Sequence, residues 1–154
     1  MDREMNGFIN LVKIRKATKK DAKEMSKIFK TEFSKSPYNE KWTERSALRR
    51  IKDYFHYTEI FVAIYKKKIM GFIIFLKFFW YDGFRILIDE IVVDSEFQNK
   101  GIGRKLMENV ELIAKKQRVR VIWLYSNIHS DAANFYPKIG YNKKDWVLFE
   151  KELK

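Results

Sequence analysis

The sequence predicts a mixed α/β fold: a central, twisted, mostly antiparallel β-sheet with helices on both faces. Three observations carry that prediction. Stretches with the period-2 pattern of strands are interspersed with stretches of helical spacing. Two strand-like stretches, 69–81 and 84–93, flank Asp82 and Gly83, a dipeptide that favours a two-residue hairpin and hence antiparallel pairing. The second of them is followed by a glycine loop, a helix and another strand, a crossover that adds a parallel neighbour.

Taken in order, "VKIRKAT" (12–18) alternates apolar and polar residues like a half-buried strand. Thr18 is placed to cap a helix with Asp21 in its first turn. Ala22, Met25, Ile28, Phe29 and Phe33 then fall on one helical face. "SKSPYNEKW" interrupts the pattern with Pro37 and Asn39. A second helix is predicted from Thr43 to about His56, with Leu48, Ile51 and Phe55 on one face. "EIFVAIY" (59–65), "IMGFIIFLKFFWY" (69–81) and "FRILIDEIVV" (84–93) read as successive strands, rich in β-branched and aromatic residues. After "QNKGIG" a helix carries Ile102, Leu106, Val110 and Ile113 on one face and a Glu111–Lys115 pair. "VRVIWLYS" (119–126) is a further strand. Ser130 and Asp131 open a short helix ending near Gly140, and "WVLFEKEL" (146–153) is predicted as a final strand. The order is β-α-α-β-β-β-α-β-α-β.

Bulk composition narrows the function classes. At 154 residues one domain is expected, with 46% hydrophobic and 16% aromatic residues to build its core. There is no cysteine, so disulfides, thiolate metal sites and a cysteine nucleophile are excluded. The two histidines, His56 and His129, lie far apart in sequence, and no metal is expected. "MDREMNGFINLVK" has no long apolar core, and the most apolar run is too short to span a bilayer and contains Lys77. A cytoplasmic protein with no membrane partner is the expectation. The net charge of +12 favours anionic partners, but lysine is spread along the whole chain as on a solvated surface. Nucleic acid is therefore not the favoured partner.

"QNKGIG" (98–103) sits between a predicted strand and a predicted helix. It lacks the lysine–serine/threonine of a Walker loop, and Leu106 stands where a dinucleotide fingerprint needs its third glycine. An anion site still makes physical sense. Glycine permits close backbone approach, the first amides of a helix are unsatisfied, and the positive helix end attracts an anion. Lys100, Arg104 and Lys105 are placed to reinforce it. An ordinary glycine turn fits the six residues equally well.

The surrounding residues separate these alternatives. "IDEIVVDSEFQNKGIGRKLME" resembles the central motif of the GCN5-related N-acetyltransferase (GNAT) superfamily: an acidic pair on an apolar strand, then an R/Q-x-x-G-x-G/A loop. "DAANFYPKIGY" (131–141) is similar to the family's downstream motif, an alanine followed by F-Y and K-x-G-[FY]. The element order fits over essentially the whole chain, residues 1–154, as one N-acetyltransferase domain.

The resemblance implies an acetyl-CoA-dependent transfer of an acetyl group to a primary amine, with no metal. It implies that Gln98, Asn99, Lys100, Gly101, Ile102, Gly103 and Arg104 receive the pyrophosphate. Ile91, Val92 and Val93 would pair their backbone with the pantetheine arm, and an amide there would polarise the acetyl carbonyl. The acceptor amine must lose a proton before attack, and Asp89 is the preferred site acid, with Glu90 next. Neighbouring strand residues point to opposite faces, so one of the two should face the acceptor. Tyr136 is the implied donor to the departing thiolate. Asn134 matches an asparagine near the coenzyme in diamine-acetylating relatives. Asn127 is a substitute for an asparagine that many members carry where this chain has His129. Pro137 departs from the commoner glutamate and puts the placement of Tyr136 in question, because proline constrains the residue before it.

The regions bordering the acceptor cleft in the family correspond to 36–42 and 78–84. Tyr38, Trp42, Trp80 and Tyr81 are candidates to line it, and each would serve equally as packing or as a contact in a homodimer. Glu32, Glu40, Asp89 and Glu90 are the carboxylates available to a polyamine. Two other function classes stay open: a basic nucleic-acid-binding module on the same fold, and a non-catalytic acetyl-CoA sensor.

Overall fold

A computed structural model describes residues 2–153. Its sheet has five strands in chain order: β1 (Lys13–Lys16), β2 (Glu59–Tyr65), β3 (Lys68–Trp80), β4 (Gly83–Val93) and β5 (Val121–Leu124). Neighbours from β1 to β4 pair antiparallel, and β4 pairs with β5 in parallel. The helices are α1 (Asp2–Leu11), α2 (Ala22–Phe33), α3 (Glu44–Tyr54), α4 (Ile102–Lys116) and α5 (Ala132–Lys138).

The apolar faces read from the sequence divide into two cores, one on each side of the sheet. Met25, Ile28 and Phe29 of α2 and Ala47, Ile51 and Tyr54 of α3 pack on Ile60, Val62, Phe72, Ile74 and Val92. Ile102, Leu106, Met107 and Val110 of α4 pack with Ile73, Phe75, Ile86 and Ile88 on the other side. β2 and β3 thus send alternate residues to opposite helix layers, which is why their sequences are apolar on both faces.

The two threonines predicted at helix starts both act there, one of them in reverse, whereas Asp131 begins α5 without a side-chain cap bond. At α3 the Thr43 hydroxyl accepts from the Ser46 amide at 3.1 Å. At Thr18 a short 3-10 turn (Lys19–Asp21) precedes α2, and the Asp21 carboxylate accepts from the Thr18 amide at 2.7 Å. Arg15 of β1 holds that carboxylate with two bonds of 2.8 Å, so the strand and the helix entrance are tied together.

Three features differ from the sequence expectations. Helix α1 was not anticipated, because Gly7 and two asparagines weaken its helical signal. It lies against the α4 side, where Phe8 meets Tyr65 edge-on at 5.4 Å and the Lys105 Nζ donates to the carbonyls of Ile9 and Val12. Lys105 therefore caps α1 and is not free to hold an anion. Second, residues 146–153 form no strand; 142–153 carry no regular element, and β5 is left as an edge. Third, β4 does not alternate regularly. Ile88 is paired with Phe75 and Glu90 with Ile74, so Asp89 is an extra residue in a β-bulge.

Candidate active site

The bulge changes which way the acidic pair points. Ile86 and Ile88 belong to the α4-side core, whereas Val92, with the same parity, belongs to the α3-side core. The strand has changed face between them, and Glu90 turns toward α3 with Val92. Asp89, at the bulge, turns the same way. The expectation that only one of the two acids faces a common site is thus corrected, because a bulged strand breaks the period of two.

Both acids meet residues of α3 that the sequence gave no reason to single out. The Tyr54 hydroxyl donates to Glu90 Oε1 at 3.0 Å. Arg50 donates to the Tyr54 hydroxyl at 2.6 Å and approaches Asp89 at 3.4 Å. Its guanidinium also lies 4.1 Å from the centre of the Tyr54 ring. Burial pushes the Glu90 carboxyl up to about 7, with Asp89 and Glu40 adding to the rise and the Tyr54 bond and Arg50 opposing it. A half-buried carboxyl tuned to neutrality is a proton acceptor suited to neutral pH. Tyr54 and Arg50 sit one helical turn apart on α3, a spacing visible in sequence, but nothing there reports that β4 lies opposite.

The same strand opens the adjoining cleft. β5 covers only Arg85 to Ile88 of β4. From Asp89 onward the β5-facing edge of β4 is unpaired, and the two strands diverge around a cleft of about 500 Å³. Ile91, Val92 and Val93 form one wall, Gln98, Asn99 and Gly101 to Arg104 the floor, and Ser130 to Ala132, Phe135 and Tyr136 the other wall. Phe33 and Tyr38 close the α2 side.

The floor is an amide-rich loop. Asn99 (φ 59°) and Gly101 (φ 85°) are both left-handed and curl the chain into the start of α4. A Cβ on Gly101 would only touch the Ile9 side chain at 3.4 Å, so it is the left-handed backbone that demands glycine here. The first intrahelical bond of α4 is from the Lys105 amide to Gly101, which leaves the amides before it without a helical acceptor. Gln98 does not reach into the cleft with its amide group; its Nε2 donates to Val93 O at 2.9 Å and to Glu32 at 3.2 Å, bracing the loop against β4. Glu32 also accepts from the Ser95 amide at 3.1 Å and pairs with Lys35. It is thereby tied to the loop while also lining the cleft. Lys100 Nζ folds back on the Glu96 carbonyl at 2.8 Å; of the cations that line the cleft, Arg104 stands on the loop side and Lys35 on the α2 side, where it pairs with Glu32.

Tyr136 is buried in the cleft wall, beside Phe135 at 5.4 Å between ring centres. Burial, aided by Tyr38 and Glu90, pushes its phenol up to about 12, so it holds its proton at neutral pH. Pro137 lies inside α5, and Tyr136 still faces the cleft; the helix simply ends one residue later. Asn134 is on α5 but outside the lining. Asn127 accepts from the His129 amide at 2.9 Å and shapes the turn before α5.

The acceptor-side aromatics separate. Tyr38 lines the cleft and packs edge-on to Phe33 at 4.9 Å. Trp42 packs on Phe29 and donates to Glu40. Trp80 and Tyr81 lie at the tip of the β3–β4 hairpin around Arg85, with Trp123 of β5, and do not line the cleft.

Comparison with known proteins agrees with this arrangement. A family model described as acetyltransferase (GNAT) family matches residues 22–141. An uncharacterized N-acetyltransferase of Methanocaldococcus jannaschii is 31% identical over 71 residues, covering 43% of this chain and 31% of that protein's length. The structure of a possible acetyltransferase from Clostridium difficile 630 superposes with a TM-score of 0.80 at 18% identity, over 94% of this chain and 99% of the other. An aminoglycoside acetyltransferase from an uncultured soil metagenomic sample, in complex with sisomicin, gives 0.74 at 19% identity, over 95% and 99%. A ribosomal-protein-alanine N-acetyltransferase from Brucella melitensis gives 0.74 at 20% identity, over 93% and 99%. At such identities the solved structures speak to the fold, and the matched family model covers both motifs and the cleft: the chain belongs to the acetyltransferase (GNAT) family.

Proposed function

We propose that the chain is one catalytic domain, an acetyl-CoA-dependent N-acetyltransferase that transfers an acetyl group to a primary amine by direct attack on the thioester. The observation that carries this reading is the meeting, in one cleft, of an unpaired strand edge, an amide-lined loop and a buried protonated tyrosine, with a carboxyl of raised pKa next to it.

The residues fit the cofactor. The free amides from Gly101 to Arg104, at the positive end of α4, match a pyrophosphate, with Arg104 adding charge. The unpaired edge at Ile91 to Val93 offers main-chain groups to an amide-bearing arm, as a sheet edge does to an added strand. When bound, acetyl-CoA supplies an activated acyl group.

Glu90 is the acid we assign to the proton of the incoming amine, directly or through a water. With its carboxyl at about 7, a substantial fraction is ionised at neutral pH. Asp89 and Glu40 supply negative charge that attracts an ammonium, while Arg50 and Tyr54 keep Glu90 from being fully neutralised. The thiolate that departs takes a proton from Tyr136, whose phenol is fully protonated across the working pH range. The ammonium nitrogen gives up two protons on its way to the amide: the first passes to Glu90 and on to solvent before attack, and the second, shed as the C–S bond breaks, balances the proton that Tyr136 gives to the thiolate and is returned to the phenol through solvent.

The test is an amine panel assayed for free coenzyme A thiol. Two of the similar structures are named as an aminoglycoside acetyltransferase and a ribosomal-protein-alanine N-acetyltransferase, so the panel holds aminoglycosides, polyamines and an alanine-first peptide. Turnover with one class and Tyr136→Phe lowering kcat by about 10-fold or more, with unchanged acetyl-CoA affinity, is the expected result. Failure to bind acetyl-CoA at micromolar concentration would sink the proposal. Binding without turnover on any amine would favour the sensor reading, and steeply salt-dependent binding to nucleic acid without turnover the nucleic-acid reading.

A further inference from the structure

Along the chain the positive charge is spread evenly; the fold gathers it. On the outer side of α4, Glu108 and Glu111 balance Lys115 and Lys116, and Leu112 is exposed. The outer side of the α2–α3 layer is different. Met25, Ile28 and Phe29 of α2 and Ala47, Ile51 and Tyr54 of α3 face the sheet. That turns Lys20, Lys23 and Lys27, at the head of α2 and along it, to solvent, and with them Arg45, Arg49 and Lys52 of α3. Spacings of three and four residues align each set in a row, about 10 Å long at the helical rise. No ion pair within the described residues uses any of these cations.

The acids of the same layer are drawn elsewhere. The Glu24 carboxylate accepts from the Ile69 amide of β3 at 2.8 Å, and Glu32 braces the glycine loop. Asp21 is held by its two bonds from Arg15. Glu44 and Asp53 are the carboxylates that the two helices leave exposed. A groove of about 420 Å³ follows the α3 row, lined by Arg45, Arg49, Lys52 and His56 together with Leu48 and Asp53.

We propose that this face binds the phosphodiester backbone of a nucleic acid without reading its bases. Two basic rows on helices that pack side by side, with axes about 8–10 Å apart, form a patch broad enough for several phosphates. Cations with no local counter-charge are the ones that gain by displacing the ions condensed on such a polymer. Other polyanionic surfaces fit less well. A helix that lies on a membrane inserts an apolar face, and neither α2 nor α3 exposes a large apolar side chain. The centre of a protein–protein interface is aromatic or apolar and poor in lysine, the reverse of this surface. The lack of an exposed ring on either helix also removes base stacking, which leaves contacts to phosphate that carry no sequence information. None of these cations lines the cleft, so the surface and the catalytic reading are independent, and a nucleic acid bound with turnover retained satisfies both.

The test is fluorescence anisotropy of the full chain with a labelled oligonucleotide of mixed sequence, as single-stranded RNA, single-stranded DNA and duplex. Binding is expected at low salt and should fall with potassium chloride, with a log–log slope of roughly −3 to −4, as for about four to six phosphates neutralised on a single strand. Permuting the sequence should change affinity less than about threefold. Whichever polymer binds more tightly is the one the face is made for. Arg45→Glu, Arg49→Glu and Lys52→Glu together should weaken binding about 100-fold or more, and the neutral set Arg45→Gln, Arg49→Gln and Lys52→Gln about 10-fold. The neutral set keeps the test decisive if the reversed chain does not fold, as read by circular dichroism. Lys143→Glu, Lys144→Glu and Lys151→Glu change the net charge as much as the reversed set and should leave affinity within about threefold. An equal loss from that second set overturns the proposal, because overall charge and not this face would then be binding. No binding at micromolar concentration in low salt overturns it too, as does binding to phosphatidylserine vesicles without binding to any oligonucleotide.

Discussion

The two halves of β4 are one strand put to two uses. Arg85 to Ile88 is paired on both sides and buried, with Ile86 and Ile88 sealed in the α4-side core. Asp89 to Val93 is paired on one side only and faces the cleft with the other. A single extra residue, Asp89, divides them. It switches the side-chain parity, carries the acidic pair to α3, and marks where β5 stops following. The paired half contributes stability and the open half contributes chemistry, and each statement can be broken by a substitution in the wrong half.

The largest effect is expected at Glu90. Glu90→Gln keeps shape and most hydrogen bonding but removes the base. The turnover number should fall about 100-fold or more, roughly 3 kcal/mol in the barrier. The rise of kcat/KM with pH through about 7, which follows from ionising Glu90, should vanish with it. Stability has a sign of its own here. A carboxyl raised in the folded state binds its proton more tightly than in the unfolded chain, so its stabilising contribution is present at low pH and declines as pH rises through about 7. Glu90→Gln should therefore flatten that decline, seen as Tm against pH. An intact kcat in this variant would move the chemistry to Asp89 or to water.

Ile86→Ala tests the other half. Ile86 is fully buried, and truncation should cost about 3 kcal/mol of stability by denaturant unfolding. At a temperature where the variant is folded, kcat and acetyl-CoA affinity should stay within about twofold of the unmodified chain. A loss of activity from the folded variant would show that the two halves are not separable.

How far the sequence carried this division is instructive. Loop 98–103 was legible because its glycines, the acidic strand before it and "NFYPKIGY" after it are local strings with required spacing. The two-layer core was legible because period determines face. The bulge was not, since "LIDEIVV" reads as an unbroken strand and the extra residue exists only relative to β3. Arg50 and Tyr54 were missed for the same reason: their meaning comes from Glu90 on a strand 36 residues away. Trp80 and Tyr81 are the converse case, legible as aromatics but not as to which surface they serve. The family resemblance puts the hairpin beside the acceptor cleft, with packing as the other role open to both residues; Arg85 and Trp123 gather them at the far end of the paired half.

A smaller effect is expected where the halves are pressed from behind. Gly71 of β3 lies across from the open half, and a Cβ there would come within 2.6 Å of the Val92 carbonyl. Gly71→Ala must push the β4 backbone toward the cleft. The expected outcome is a stability loss of about 1–2 kcal/mol with acetyl-CoA binding weakened about 10-fold, measured by calorimetry. Equal affinity would mean that the edge at Ile91 to Val93 does not set how the arm is held.

The smallest effect is the most diagnostic. Tyr54 donates a hydrogen bond that favours the ionised form of Glu90, against the burial that disfavours it. Tyr54→Phe removes that donor and leaves the burial, so the midpoint of the pH–kcat/KM profile should move upward, by roughly 0.5–1 unit. The plateau at high pH, where Glu90 is ionised either way, should change little. The tyrosine is fully buried, and its ring remains in phenylalanine, so packing between α3 and the sheet is retained. A uniform drop in kcat at every pH would indicate damage to the fold of the site. A midpoint that moves while the plateau stays ties the measured ionisation to the acidic pair beside Tyr54, in which Glu90 is the carboxyl that accepts from its hydroxyl at 3.0 Å.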